Sequence, residues 1–267
     1  MKNISDLMSL QGRRALITGA VGGIGQEMAM TIAELGGDLL LVDRPGSDYE
    51  LIEKRILDNF NVNIDCIDCD LENEESRENL INIVNGEGKA LDVLINNAAF
   101  VGTLELEGWV TEFSDQSIDS WRRAIEVNLT AAFHLIQGCA PSLKKSVGGA
   151  VINVGSIYGV NGPDHSLYKG TTMGNPAAYA ASKGGLIQLT RWLSTTLAPD
   201  IRVNAISPGG VFRDQPKAFV DRYIARTPLG KMANNDDFKG TVAYFASDLS
   251  AYVTGQNLPV DGGWTVW

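Results

Sequence analysis

Short apolar runs alternate with longer helical patterns along the whole chain, and this alternation constrains the fold more than any other feature. Candidate strands lie at 14–18, 38–42, 62–67, 93–96, 150–154, 202–206 and 257–260. Helical patterns fill the intervals between them, as the crossover connections of a parallel sheet require. The longest helical patterns cover 118–143 and 177–197. No linker, repeat or low-complexity segment interrupts the alternation, so residues 1–267 read as one domain. Two Pro- and Gly-rich stretches, 159–176 and 207–216, each follow a strand. Ligands bind at that edge of an open α/β sheet, so the segments at about 157–176 and 208–228 read as substrate loops.

Composition removes several function classes. A formal charge of −10 does not suit a nucleic-acid surface, which needs clustered Lys and Arg. No run of about 18 apolar residues is present to span a membrane, and residues 1–7 contain no apolar core of a signal peptide. The expected compartment is the cytoplasm and the expected partner a small-molecule substrate. Three cysteines fit a reducing compartment better than a disulfide scaffold. Cys66 and Cys69 have a CxxC spacing. They fall on a strand and its exit, where positions three apart face opposite ways, so no metal site is expected.

The sharpest chemical signal is Tyr179-Ala180-Ala181-Ser182-Lys183. A phenol and an ammonium four residues apart share one face of a helix. A nearby cation favours the charged form of a phenol, which would make Tyr179 a usable acid or base near neutral pH. Of seven tyrosines, only Tyr179 has a lysine at the fourth position after it. Upstream, Thr18-Gly19-Ala20-Val21-Gly22-Gly23-Ile24-Gly25 follows the first strand and opens a helix. Glycines there permit a tight turn and close approach to a pyrophosphate at the helix N-terminus. Asp43 ends the second strand, 18 residues beyond Gly25. A carboxylate there would bind both adenosine ribose hydroxyls and repel a 2′-phosphate, favouring NAD over NADP. Arg44 adjoins it.

Taken together, these residues resemble the short-chain dehydrogenase/reductase family over essentially the whole chain. Gly19, Gly23 and Gly25 match its glycine motif, and Asp70-Leu71 its adenine-contacting pair. Asn96-Asn97-Ala98-Ala99 matches the motif closing the fourth strand, with Ala99 in place of the usual glycine. Asn128, Ser156, Tyr179 and Lys183 match the catalytic set, and Pro208-Gly209 and Asp261-Gly262-Gly263 two further signatures.

The resemblance implies a single-domain α/β Rossmann fold, with a seven-stranded parallel sheet in the order 3-2-1-4-5-6-7 and helices on both faces. It implies an NAD cofactor held by Gly19, Gly23, Ile24, Gly25, Asp43, Asp70, Leu71, Asn97, Ala98, Tyr179, Lys183, Pro208, Gly209 and Val211. In the mechanism it implies, Tyr179 exchanges a proton with the substrate oxygen, Lys183 lowers the pKa of Tyr179 and holds the nicotinamide ribose, Ser156 polarises the oxygen, and Asn128 holds a water linking Lys183 to solvent. It also implies a homotetramer joined through the two long helices and the last strand.

Two departures from the family bear on the substrate. Ser156 and Tyr179 stand 23 positions apart, farther than is usual in the family, and the extra residues fall at 161–174. This insertion is expected to wall the substrate pocket, with His165, Tyr168 and Lys169 offering polar contacts. Where relatives often carry a threonine after Pro208-Gly209, this chain has Arg213, whose planar fork suits a carboxylate or phosphate. A secondary alcohol or ketone on a sugar, sugar acid or activated sugar is the expected substrate. The alternatives are a 3-oxoacyl-[acyl-carrier-protein] reductase and a catalytically silent NAD-binding scaffold or sensor. A mobile covering helix is expected at 214–225, and the aromatic tail at 264–267 is expected to dock on a neighbouring subunit.

Overall fold

The computed structural model describes residues 2–86, 88–101 and 106–267. Its strands are β1 (Arg14–Thr18), β2 (Asp38–Asp43), β3 (Ile64–Asp68), β4 (Val93–Asn96), β5 (Gly149–Val154), β6 (Ile201–Pro208) and β7 (Asn257–Val260). They form one seven-stranded sheet in the order β3-β2-β1-β4-β5-β6-β7, every neighbouring pair parallel. The α-helices are α1 (Ile4–Met8), α2 (Gly23–Glu34), α3 (Glu50–Leu57), α4 (Glu74–Gly86), α5 (Ile118–Ile125), α6 (Ala131–Leu143), α7 (Ala177–Thr196), α8 (Lys217–Arg226) and α9 (Lys239–Ala246).

The central strands are buried at every position, so they are held by packing on both faces. The two-residue alternation of a strand divides their side chains between two cores. Ala15, Ile17, Leu39 and Leu41 join Met28 and Ile32 of α2 and Val242 and Phe245 of α9 on one face. Leu16, Leu40 and Val42 join Leu80 of α4 and Leu135, Ile136 and Cys139 of α6 on the other. All the strands therefore run out at one edge, and the order reverses between β1 and β4, which opens the crevice where α/β sheets bind ligands.

One expected element is divided. The helical pattern over 118–143 is interrupted by a π-helical turn, Glu126–Thr130, between α5 and α6. Asn128 lies inside this turn and is 2% exposed. Its Oδ1 accepts from the Phe100 backbone N–H at 2.6 Å, and its Nδ2 donates to the Ser182 hydroxyl at 3.0 Å. A single widened turn of this kind turns a helical side chain toward partners the α-helical ladder would miss.

The tail also departs from expectation. Trp264 is 1% exposed and packs inside its own chain, stacked on Tyr223 at 6.0 Å with the Arg226 guanidinium 4.8 Å above its ring. Val266 and Trp267 extend outward, 74% and 69% exposed. The apolar indole reaches a ready-made aromatic cluster within the chain, so it does not need a neighbour to cover it. Truncation of Trp264 to alanine should lower unfolding stability by about 3–5 kcal/mol through the cavity it leaves. Urea denaturation at several protein concentrations checks this, since a tail that served only assembly would show a loss that depends on concentration.

Candidate active site

A cleft of about 940 Å³ crosses the carboxyl edge of the sheet. Its first half is built around the β1 exit. Gly19 has φ +66°, and a Cβ on Gly25 would stand 2.0 Å from the Gly19 carbonyl oxygen. Both positions therefore require glycine. The turn is clamped from β4: Asn97 Nδ2 donates to the carbonyls of Thr18 at 2.9 Å and Gly19 at 3.0 Å. The Thr18 hydroxyl in turn accepts from the backbone N–H groups of Asn97 and Ala98, both at 3.1 Å. α2 begins directly after this turn with no acidic residue in its first turn, so its N-terminal partial positive charge is left for an anion.

Asp43 closes this half of the cleft. One carboxylate oxygen accepts from the Val21 N–H at 3.0 Å. The other accepts from the Arg44 N–H at 2.8 Å and the Ser47 hydroxyl at 3.2 Å. These bonds fix the carboxylate beside the glycine turn. Asp70 and Leu71 line the wall next to it, and Glu72 and Arg123 form a bidentate pair at 2.7 and 3.1 Å at its rim. The fourteen residues expected to hold the cofactor all line this one cleft. A cradle closed to any side chain at Gly19 and Gly25, a helix N-terminus and a fixed carboxylate make a donor and acceptor set that fits a dinucleotide.

The second half holds the candidate chemical centre. α7 places Tyr179 and Lys183 one turn apart, with Lys183 Nζ 5.9 Å from the centre of the Tyr179 ring. Ser156 follows β5 and is 5% exposed; its hydroxyl accepts from the Tyr158 N–H at 3.2 Å and lies near enough to the Tyr179 phenol to favour its charged form. Lys183 is 2% exposed and donates to the Val154 carbonyl at 2.7 Å. Burial pushes its ammonium down to about 8.

The electrostatics correct one sequence expectation. Tyr179 is held above its ordinary value, because loss of solvent outweighs the two influences that lower it, the Ser156 hydrogen bond and the positive charge of Arg213. Lys183, expected to supply that lowering, directs its ammonium at a backbone carbonyl instead. Asn128 stands behind the wall: its neighbour Val127 lines the cleft, while its own amide is committed to Phe100 and Ser182.

The insertion and α8 form the remaining wall together. Asp164 caps a short 3-10 turn, His165–Tyr168, and pairs with Arg226 at 2.7 Å. Arg222 donates to the carbonyls of Leu167 and Lys169. Leu167 is turned inward against Phe219 and Tyr223, and Tyr168 and Met173 line the cleft. The same turn directs His165 and Lys169 outward, so both are exposed and lie outside the lining. Arg213 lines the cleft, next to Asp214 at φ +54°. Among the described residues its guanidinium has no hydrogen bond or ion pair; only its backbone N–H is bonded, to Gln215 Oε1 at 2.7 Å.

Sequence reasoning missed Tyr158, whose hydroxyl is 2.7 Å from that of Tyr168, as well as Phe100, Trp109, Phe219 and Tyr223. Tyr158 carried a signal, standing two places beyond Ser156 at a strand exit. Trp109 carried none, because it lies in a segment with no period.

Comparison with known proteins shows the family. The family described as "Enoyl-(Acyl carrier protein) reductase" matches residues 19–265. Trans-4-hydroxycyclohexanecarboxylate dehydrogenase of Sinomonas cyclohexanicum is 32% identical over 99% of this chain and 96% of its own length. A 2-dehydro-3-deoxy-D-gluconate 5-dehydrogenase of Pseudoalteromonas atlantica is 34% identical over 96% and 97%. A 3-oxoacyl-[acyl-carrier-protein] reductase of Rickettsia felis is 31% identical over 96% and 98%.

Among solved structures, a short-chain dehydrogenase from Leptospira borgpetersenii with bound NAD+ superposes with a TM-score of 0.83 at 35% identity, covering 99% of this chain and 96% of that one. A putative NAD(P)-dependent gluconate 5-dehydrogenase from Beutenbergia cavernae with bound NADP gives 0.85 at 30% identity, covering 98% and 100%. The chain belongs to the short-chain dehydrogenase/reductase family of nicotinamide-dependent oxidoreductases, which interconvert secondary alcohols and ketones.

Proposed function

We propose that this protein is an NAD-linked dehydrogenase whose substrate is a secondary alcohol, or its ketone, bearing a carboxylate or similar anion, as sugar acids do. The observation that carries this reading is Arg213. Of the charged residues lining the cleft, Asp43, Arg44 and Asp70 belong to the half with the glycine turn, and Glu72 and Arg123 neutralise each other. Among the described residues that leaves Lys183 and Arg213, whose guanidinium has no ion pair there, around Tyr179, with no described acid in that part of the lining to oppose them. Two of the relatives act, by name, on a gluconate and a cyclohexanecarboxylate, and both of those are carboxylates.

Asp43 supports NAD: its carboxylate, fixed by three hydrogen bonds, would repel a 2′-phosphate. The nicotinamide dinucleotide, when bound, accepts a hydride from the carbinol carbon or returns it. Ser156 and Tyr179 would share the substrate oxygen. Ser156 donates a hydrogen bond to it, and Tyr179 takes its proton in oxidation or gives one in reduction. Lys183 holds positive charge beside them with two N–H donors left after Val154, enough for a ribose and a water near Asn128. A 3-oxoacyl thioester is the second reading, favoured by the apolar walls of the cleft. Exposed Trp121, Phe133 and Trp192 on α5, α6 and α7 support assembly through those helices into a homotetramer, and free cysteines support the cytoplasm.

Three measurements test this reading. Arg213→Ala should cut kcat/KM for an anionic substrate about 10–100-fold, the worth of a charged hydrogen bond, and leave a neutral analogue nearly unchanged; equal losses would refute an anionic substrate. Tyr179→Phe should reduce turnover by about 10²–10⁴-fold while NADH still binds, as read by fluorescence; unchanged turnover would remove Tyr179 from the chemistry. Because Tyr179 is raised, its acid form prevails at neutral pH, and Lys183 carries charge only below about 8. Ketone reduction should therefore be flat through neutral pH and fall as pH rises past about 8.

A further inference from the structure

Two apolar clusters face each other across the reacting end of the cleft. Phe100, Leu106 and Val110 pack with Trp109 and Tyr179 on one side. Met173 and Tyr168 of the insertion pack with Phe219, Tyr223 and Met232 on the other. A wall of aromatic residues can still be polar if their hydroxyl and N–H groups point at the ligand. Here few do.

The Trp109 indole N–H donates to the Val101 carbonyl at 2.6 Å. The Tyr223 hydroxyl accepts from the Gly210 N–H. The Tyr158 and Tyr168 hydroxyls are bonded to each other at 2.7 Å. Gln215 spends its amide on the Val211 carbonyl and the Arg213 N–H, both at 2.7 Å. Among the described residues, few polar side-chain groups remain for a ligand beyond Ser156, Tyr179 and Lys183: Asn175, whose Oδ1 has no partner, the Arg213 guanidinium, and the hydroxyl protons left on Tyr223 and on one of the Tyr158–Tyr168 pair.

A polyol brought between these walls would meet few partners for its hydroxyls, and each buried polar group left unpaired opposes binding. A hydrocarbon body would lose nothing and would cover the exposed ring faces. Building on the anionic reading above, we propose that the substrate is a hydroxy acid whose carbinol and carboxylate are joined by a hydrocarbon skeleton of ring size, not by a polyol chain. Its carbinol meets Ser156 and Tyr179, its carboxylate meets Arg213, and its skeleton lies between Val110 and Met173. In oxidation the carbinol carbon gives its hydride to NAD+ and the hydroxyl gives its proton to the ionised fraction of Tyr179, which becomes the neutral phenol. The products are the keto acid and NADH.

The test compares 4-hydroxycyclohexanecarboxylate, as both epimers, with D-gluconate, 4-methylcyclohexanol and a 3-hydroxyacyl thioester. Each is assayed with NAD+ on the wild type, Arg213→Ala and Met173→Asn, with NADH formation followed by absorbance. One ring-acid epimer should exceed gluconate in kcat/KM by at least about 100-fold, the scale on which unpaired polar groups reject a ligand. Arg213→Ala should remove about 10–100-fold from the ring acid and under threefold from the neutral alcohol. Met173→Asn should narrow the gap between ring acid and gluconate.

Preference for gluconate, with Arg213→Ala still selective, would overturn the hydrocarbon skeleton and leave the anionic reading standing. Equal loss on acid and neutral alcohol would overturn both. A preferred thioester, or no turnover of either ring-acid epimer, would also overturn this proposal.

Discussion

The cleft depends on one small knot of hydrogen bonds between the ends of β1 and β4. Parallel strands that diverge at their carboxyl ends leave backbone carbonyls with no neighbour in the sheet. Asn97 takes up two of them, at Thr18 and Gly19, while Thr18 returns bonds to the backbone of Asn97 and Ala98. The glycine turn is thereby held with Gly19 in a left-handed conformation, and the Ala20 N–H ties it to the Val42 carbonyl of β2 at 3.2 Å. Gly25 can approach the same turn only because it has no side chain. With this knot in place, α2 points at the crevice, Val21 can bond Asp43, and the crevice floor is fixed before any ligand arrives.

The opposite half of the cleft is held by a different principle. Its floor is rigid where α7 packs on the sheet, with Lys183 anchored to β5 through Val154. Its walls come from segments outside the sheet, joined by aromatic contacts between Tyr168 and Phe219 at 5.5 Å and between Phe219 and Tyr223 at 5.9 Å. The same low-dielectric surroundings raise the pKa of Tyr179 and depress that of Lys183. Both groups are pushed toward their neutral forms, as desolvation requires. An oriented hydroxyl at Ser156 and a distant guanidinium at Arg213 only partly oppose this for the phenol.

Much of this was legible in the chain. Strands were readable because burial on both sides demands unbroken apolar runs, and the observed bounds differ from the expected ones by a residue or two at β2, β3, β5 and β6. The sheet order followed from the family resemblance, and so did the grouping of Gly19, Asp43, Ser156 and Tyr179 at one edge. The π-helical turn was hidden because a single widened turn leaves the apolar period of 118–143 nearly intact. The direction of the Lys183 ammonium was hidden because four-residue spacing fixes the face of a helix and not the partner of a long side chain. The outward turn of His165 depends on the Asp164 cap, and the burial of Trp264 depends on an aromatic cluster assembled from four distant segments. Neither leaves a local periodic trace.

The ties between the insertion and α8 have a mechanical meaning. Asp164 grips Arg226, Arg222 grips two carbonyls of the insertion, and Leu167 is wedged against the helix. Neither segment can swing away from the cleft and leave the other behind without exposing apolar surface and stranding charged groups. They act as one jaw with two attachments to the sheet, one after β5 and one after β6. The approach to Tyr179 is therefore bounded by the two segments together, and a change in what the pocket admits has to be accommodated in both at once.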